Sequence, residues 1–461
     1  MELQSDRKEK YLFIETFGCQ MNENDSERII GLLRHLNYKV TDNPDMADMV
    51  ILNTCSIRGK AEQKVYSALG RLKRLKSAKP GLIVGVGGCV AQQQGERLLR
   101  RVPHLDVVFG THNIYRLPEL VKEVEVRKTK VAATGFSDSI DEGSFEYIYT
   151  AKWTEGSLPR VKAAVTIMQG CDNFCSYCIV PYVRGRELSR KSGAVLQEIN
   201  RLSENGIKEV MLVGQNVNSY GNDGGDISFP ELLRRVCRVK GIKRVRFITS
   251  HPKDMSEELM ELFGHEEKLC RHIHLPLQSG SNEILEKMKR GYTREDYMDR
   301  VFKLKRLYPD IGITTDIIVG FPGENDTDFS ETMASIKEIE YDNIFSFKYS
   351  PRPETVAASF DGQIPEQVKE ERLAVLQKVQ TEITFNRNRD MIGKVTDILV
   401  EGKSKTAEVS AWTGINQLAG RTSCNRIVNL AADDGYIGKI TSVRIESAFQ
   451  NSLQASLGNN N

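Results

Sequence analysis

The sequence carries little that would place it in or across a membrane. No apolar run approaches the roughly 18 residues that a spanning helix needs. The opening Met1-Glu-Leu-Gln-Ser-Asp-Arg-Lys8 stretch holds charges where a secretory leader would hold an apolar core. Charge of one sign is also missing: the net charge is +2, so global electrostatics announce no nucleic-acid partner. Internal repeats and low-complexity tracts are absent. The 9 Cys in 461 residues are too sparse for a secreted disulfide scaffold. In a reducing compartment such cysteines serve metals or catalysis, and the expected location is the cytoplasm.

Against that background one cluster stands out. Cys171, Cys175 and Cys178 lie in Gly170-Cys-Asp-Asn-Phe-Cys-Ser-Tyr-Cys-Ile-Val-Pro181, a C-x3-C-x2-C triplet. Three thiolates in one short loop can ligate three corners of a 4Fe–4S cube and leave the fourth iron open for another ligand. Structural zinc is the alternative, but it usually shows paired Cys-x-x-Cys knuckles with a fourth ligand. Tyr177, directly before the last Cys, matches the pattern of radical S-adenosylmethionine (SAM) enzymes, in which SAM takes the open iron. One electron passed into SAM then gives a 5′-deoxyadenosyl radical able to remove hydrogen from an unactivated carbon.

The length allows about two or three domains. Residues 1–136 alternate strand and helix, which predicts a parallel α/β sheet. Its strands are expected at 11–17, 49–53, 82–86 and 106–109, with a helix over 24–36. Cys19, Cys55 and Cys89 each follow one of the first three strands. In a parallel sheet such positions share the C-terminal edge, where ligands bind. Three unrelated buried thiols are the alternative. The helix over 58–79 is strongly basic and reads as a solvated face or a phosphate-contacting one.

Residues 137–159 read as a polar connector. Residues 160–388 show six β/α units, which predicts a (β/α)6 partial TIM barrel with its site at the strand C-termini. Gln215 follows its second strand, Gln278 and Ser279 its fourth, and Gly320 its fifth. These residues, with Tyr177, are candidates to seat SAM. His251, His272 and His274 read as hydrogen-bonding groups, and Cys237, Cys270 and Cys424 as incidental thiols. Residues 389–452 switch to short β segments, which predicts a small antiparallel β-barrel, OB-like in character. Residues 453–461 read as a disordered tail.

The motifs together resemble the methylthiotransferase family of radical SAM enzymes, in its tRNA-modifying, MiaB-type branch. The resemblance runs through Thr16-Phe-Gly-Cys-Gln-Met-Asn22, Asn53-Thr-Cys-Ser-Ile-Arg58 and Gly88-Cys-Val-Ala-Gln92. It continues through Met168 to Arg186, His274-Leu-Pro-Leu-Gln-Ser-Gly-Ser281 and Phe347-Lys-Tyr-Ser-Pro-Arg-Pro-Glu354. It implies a methylthiotransferase domain, a radical SAM domain and a C-terminal TRAM domain. It also implies two 4Fe–4S clusters: an auxiliary one on Cys19, Cys55 and Cys89, and a SAM-binding one on Cys171, Cys175 and Cys178.

The implied reaction converts N6-isopentenyladenosine next to the tRNA anticodon to its 2-methylthio form. One SAM supplies the radical, another the methyl group, and the auxiliary cluster the sulfur. No protein acid or base is singled out. Implied partners are the tRNA anticodon stem-loop, an electron donor such as flavodoxin or ferredoxin, and iron–sulfur carrier proteins. The protein is expected to be a monomer.

RNA-binding candidates are Arg421 and Arg426 in Gly420-Arg-Thr-Ser-Cys-Asn-Arg426. Trp412 could stack on a base or pack on the barrel. Arg184 and Arg186 could meet substrate phosphate or pair with local acids such as Glu187. Sister enzymes that act on threonylcarbamoyl-adenosine in tRNA, or on an aspartate of a ribosomal protein, are the nearest rivals. A non-catalytic iron–sulfur or RNA-binding scaffold is the rival of a different class, and it has no use for an open iron.

Overall fold

The computed structural model describes residues 9–56, 59–146, 160–404 and 417–458, with side chains masked over 59–62. Trp412 lies outside the described residues. Two compact units form. Among the described residues, the first comprises those between 9 and 146, 166–172 and 179–198, and the second 160–165, 173–178 and those between 199 and 458.

The first unit is built on a six-stranded sheet in the order β2-β1-β3-β4-β5-β6, parallel throughout. Its strands are β1 (Lys10–Thr16), β2 (Tyr38–Val40), β3 (Met49–Thr54), β4 (Ile83–Gly88), β5 (Val107–Phe109) and β6 (Val131–Ala133). β3 and β4 are buried at every position, as a parallel sheet covered on both faces requires. Alternation along β3 sends Met49 and Ile51 into one core with Ile29, Leu33 and Phe109. Val50 and Leu52 enter the other core with Val65, Leu69 and Val84. Each such side chain contributes about 1.5–3 kcal/mol on full burial.

The four strands predicted are present. The two edge strands β2 and β6, three residues each, are too short for periodicity to reveal. The first helix runs Gln20–Arg34, so it starts directly after Cys19 rather than at residue 24. A short antiparallel pair, β8 (Met168–Gln169) with β9 (Leu188–Ser189), completes this unit.

The second unit contains β7 (Lys162–Thr166), β10 (Glu209–Val213), β11 (Arg244–Phe247), β12 (His272–His274), β13 (Gly312–Val319) and β14 (Asn343–Lys348). They form two three-stranded sheets, β11-β10-β7 and β12-β13-β14, linked by a bridge between Val245 and Leu269. The register places Glu209 beside Arg244 and Thr314 beside Asn343. This is the partial parallel barrel that the β/α periodicity predicts.

After the helix Glu366–Arg389 the chain closes a five-stranded barrel in the order β15-β16-β17-β19-β18. Its strands are β15 (Val395–Lys403), β16 (Gln417–Thr422), β17 (Ile427–Ala431), β18 (Ile440–Ala448) and β19 (Leu453–Leu457). Ile398, Val400, Leu418, Val428, Leu430, Val443, Ile445 and Leu453 fill it. Two expectations need correction. Residues 453–457 are the closing strand rather than a disordered tail, because Leu453 and Ala455 alternate into the core. β19 also pairs parallel with β17, so the barrel is not wholly antiparallel.

Buried guanidinium groups fasten this barrel to the strands before it. Arg246 donates to Thr422 O at 2.6 Å and Ser423 O at 2.9 Å, and pairs with Glu209 at 3.1 Å. Arg244 donates to Asp397 O at 3.0 Å. Asp342 accepts from Arg387 at 3.1 Å and also from Arg426. Removing one member of a buried ion pair leaves an uncompensated charge and costs about 3–5 kcal/mol. Asp342→Ala is therefore expected to lower the stability of this unit by that order, read as a drop in the denaturant midpoint. A midpoint unchanged within error would contradict the fastening role. Among the described residues no helix is long and apolar enough to cross a membrane.

Candidate iron–sulfur and SAM site

At the C-terminal edge of the first sheet three loops converge. β1 ends at Thr16, and Gly18 follows with φ +121°; a Cβ there would meet Cys55 Sγ at 3.0 Å. Only glycine lets the first loop approach the second so closely. Cys19 then precedes the helix Gln20–Arg34, with Glu23 N donating to its carbonyl at 3.2 Å. Cys55 follows β3 directly. Cys89 opens the helix Cys89–Gln94 directly after β4.

Two asparagines lace these loops. Asn22 Nδ2 donates to Phe17 O at 3.0 Å and Thr54 O at 2.8 Å. Asn53 Nδ2 donates to Asn22 O at 2.8 Å. Thr54 Oγ1 donates to Gly87 O at 2.6 Å and accepts from Val90 N at 3.2 Å. Cys55 and Cys89 are buried and Cys19 is half-buried, so the edge is open at one side. Burial pushes the Cys89 thiol up, while the nearby Arg184 guanidinium opposes that shift.

Among the described residues no three His, Cys, Asp or Glu side chains stand at the spacing of a single metal ion. A cubane asks for a wider set, because each thiolate binds its own corner iron. Three cysteines on rigid strand ends, with a buried cation beside them, suit such a group.

Arg184 needs correction as a phosphate contact. It ends the helix Val180–Arg184 with its side chain 3% exposed, and pairs with Asp25 at 2.8 Å. Its Nη2 also donates to Asn22 Oδ1 at 3.0 Å. The positive charge is enclosed, so RNA phosphate cannot reach it. Burial works against that charge, but Asp25, then Cys89 and Cys19, outweigh burial and hold the guanidinium pKa up. Arg186 is exposed and pairs with Asp172 at 3.4 Å.

The second cysteine set lies on the loop after β8. Gly170 has φ +82°, and a Cβ there would run into the Arg186 carbonyl oxygen. Cys171 N donates to Gly185 O at 3.2 Å. Further along, Cys178 N donates to Cys175 O at 2.9 Å, and Ser176 is held by Met288 O, Lys287 O and Ala357 N. Cys175 is buried, whereas Cys171 and Cys178 are half-buried.

Arg290, which sequence reasoning missed, donates Nη1 to Cys175 Sγ at 3.2 Å and Nη2 to Pro276 O at 3.1 Å. Its Nε donates to Tyr292 Oη at 3.0 Å. Tyr177 packs its ring with Met288, Phe321 and Tyr349, and its hydroxyl accepts from Arg290 at 3.4 Å. Burial drives the Tyr177 hydroxyl well above its ordinary pKa despite Arg290.

The remaining SAM candidates sit at strand ends of the same unit. Gln215 follows β10 and is half-buried. Gln278 has φ +72° and is pinned by Asp316 O and Ile318 N, at 2.8 and 2.9 Å. Its Oε1 is buried without a hydrogen-bond partner. Gly320 donates its N–H to Glu324 at 2.9 Å, and Glu324 pairs with Arg372 at 2.7 Å. Burial raises the Glu324 carboxyl, against the opposing pull of the Gly320 N–H and Arg372. Ser279 needs correction: it is wholly buried, with its hydroxyl on Thr332 at 3.4 Å and Ser281 N at 3.2 Å. It shapes the loop rather than presenting a donor. His272 and His274 both engage Thr314, at 3.2 and 3.0 Å.

On the terminal barrel, Arg426 likewise needs correction. Its side chain is 10% exposed and held by Asp342 and Asn388, because it fastens the barrel. Arg421 is partly exposed and pairs with Glu401 at 3.2 Å. In the basic stretch, Lys76 of the helix Gly59–Ala78 and Lys79 just after it pair with Asp106 and Asp48 at 2.7 and 2.8 Å, so part of that charge is also engaged.

Residues 11–110 match the family described as Uncharacterized protein family UPF0004, and residues 165–336 match the Radical SAM superfamily. The chain is 52% identical over 451 residues to the tRNA-2-methylthio-N(6)-dimethylallyladenosine synthase of Geotalea uraniireducens, covering 98% of this chain and 99% of that protein. It is also 52% identical over 445 residues to the synthase of the same name from Geobacter sulfurreducens, covering 96% of each. Among solved structures, it resembles the radical S-adenosylmethionine methyltransferase TsrM from Kitasatospora setae. The TM-score is 0.56 at 15% identity, covering 76% of this chain and 75% of that one, which supports a shared fold.

Proposed function

The chain belongs to the tRNA-2-methylthio-N6-dimethylallyladenosine synthase family of radical SAM enzymes, and we propose that its two cysteine triplets divide one reaction between them. That reaction places a methylthio group on adenine C2 of N6-isopentenyladenosine beside the tRNA anticodon. The observation that carries the reading is the presence, in one chain, of a C-x3-C-x2-C loop and a second three-cysteine strand edge. When bound, the 4Fe–4S cluster on Cys171, Cys175 and Cys178 supplies reductive SAM cleavage, and the one on Cys19, Cys55 and Cys89 supplies sulfur.

The protein's own part is orientation and exclusion of water. Arg290 anchors Cys175 to the segment after β12 through Pro276 O. Gln278 Oε1, buried without a partner, is an acceptor ready for a donor on SAM. The aromatic cluster of Tyr177, Phe321 and Tyr349 keeps that side dry. Gln215, after β10, and Gly320, after β13, complete the SAM candidates. Arg186 and Arg421, which keep exposed surface, are the remaining arginine candidates for RNA phosphate. A small reductant such as flavodoxin or ferredoxin and an iron–sulfur carrier are the protein partners, and the enzyme acts as a cytoplasmic monomer.

Nucleoside mass spectrometry of tRNA from a strain lacking the gene tests this reading. The expected result is loss of the methylthio group with the isopentenyl group retained. Retained methylthio-isopentenyladenosine, or loss of the methylthio group from threonylcarbamoyl-adenosine instead, would overturn it.

A further inference from the structure

Arg184 is an unusual feature of the first cysteine edge. A guanidinium is rarely enclosed unless its charge answers another charge. Here one carboxylate, Asp25, pairs with it at 2.8 Å, but Arg28 also approaches Asp25 at 3.4 Å. Asp25 is therefore shared between two buried cations, with Asp141 also acting on Arg28.

The two terminal nitrogens of Arg184 are not equally engaged. Nη2 holds Asp25 and Asn22 Oδ1. Nη1 is buried without a hydrogen-bond partner, and after Asp25 it is Cys89, then Cys19, whose charge would hold this guanidinium protonated. The same Asn22 Oδ1 stands 3.8 Å from Cys19 Sγ, so one amide connects the arginine to a second cysteine. Helix packing brings the segment that carries Arg184 onto Cys89, because Val183 and Ile179 form one apolar cluster with Cys89.

We propose that Arg184 is the positioning and charge-compensating residue of the auxiliary cluster, with its unengaged Nη1 donating to sulfur at the Cys89 corner. The proposal rests on the assignment of Cys19, Cys55 and Cys89 as cluster ligands. Hydrogen bonds to cluster sulfur and nearby positive charge both stabilise the reduced, more negative state. Arg184 thus raises the reduction potential of the sulfur-bearing cluster. It follows Cys178 by one short helix, so the chain that carries the SAM-cluster loop also delivers this cation.

The test uses the full-length chain, anaerobically reconstituted, with Cys171, Cys175 and Cys178 replaced by Ala so that the auxiliary cluster is observed alone. An EPR-monitored redox titration then compares Arg184 with Arg184→Met and Arg184→Lys. The methionine variant is expected to shift the one-electron equilibrium at least tenfold toward the oxidised form, about 59 mV in potential. Lysine keeps the charge but not the forked donor, and is expected to shift it by a smaller amount in the same direction. An unchanged potential in either loaded variant overturns the proposal, and the lysine variant suffices if the methionine variant does not fold. Cys19, Cys55 and Cys89→Ala is the control. Iron retained in that control refutes the ligand assignment itself, whereas iron lost there with potentials unmoved by Arg184 refutes only this inference.

Discussion

Cys175→Ala protein, reconstituted anaerobically and reduced in the presence of SAM, is expected to form no 5′-deoxyadenosine above background. The triplet offers only three thiolates, so losing one removes a corner ligand with no replacement among its immediate neighbours in sequence. Cys175 is the buried member of the three, and Arg290 donates to its sulfur at 3.2 Å. Its removal leaves that Nη1 only the 3.4 Å bond to the Tyr177 hydroxyl, at a cost of at most about 1–3 kcal/mol. A domain of ordinary stability survives such a loss, so the variant should fold and keep its other cluster. Chromatographic detection of 5′-deoxyadenosine reads the outcome directly. Continued SAM cleavage would show that Cys175 is not a ligand of the radical-generating cluster.

The complementary variant, Cys19, Cys55 and Cys89→Ala, is expected to cleave SAM yet make no methylthiolated nucleoside. These residues sit on the ends of β1, β3 and β4, in loops fixed by Asn22, Asn53 and Thr54. The lacing is independent of the thiols, so the edge should hold its shape without them. Loss of the sulfur source then separates hydrogen abstraction from sulfur attachment. Liquid chromatography with mass detection of an isopentenylated stem-loop and of SAM fragments follows both halves in one reaction. Methylthio product from this variant would remove the sulfur-supplying role from this edge.

The cysteine positions were legible because a parallel sheet obliges residues after successive strands to share an edge, and apolar runs mark those strands well. What stayed hidden depended on partners distant in sequence. Arg184 looked like a surface arginine beside Glu187, but its partner Asp25 lies on the first helix. Arg426 sits in a run that suits RNA, yet Asp342 and Asn388, far upstream, enclose it. Arg290 lies in Met288-Lys-Arg-Gly-Tyr292, where nothing distinguishes it from Lys289, and only the fold brings it to Cys175. β19 escaped notice because Leu-Gln-Ala-Ser-Leu is short and half polar, although its alternation is correct for a closing strand.

The division of labour between the two triplets is tested most directly by counting iron in matched preparations. The reconstituted wild-type chain should hold about eight irons as two 4Fe–4S clusters, and the Cys19, Cys55 and Cys89→Ala variant about four. A wild-type count near four that those three substitutions leave unchanged would contradict the account.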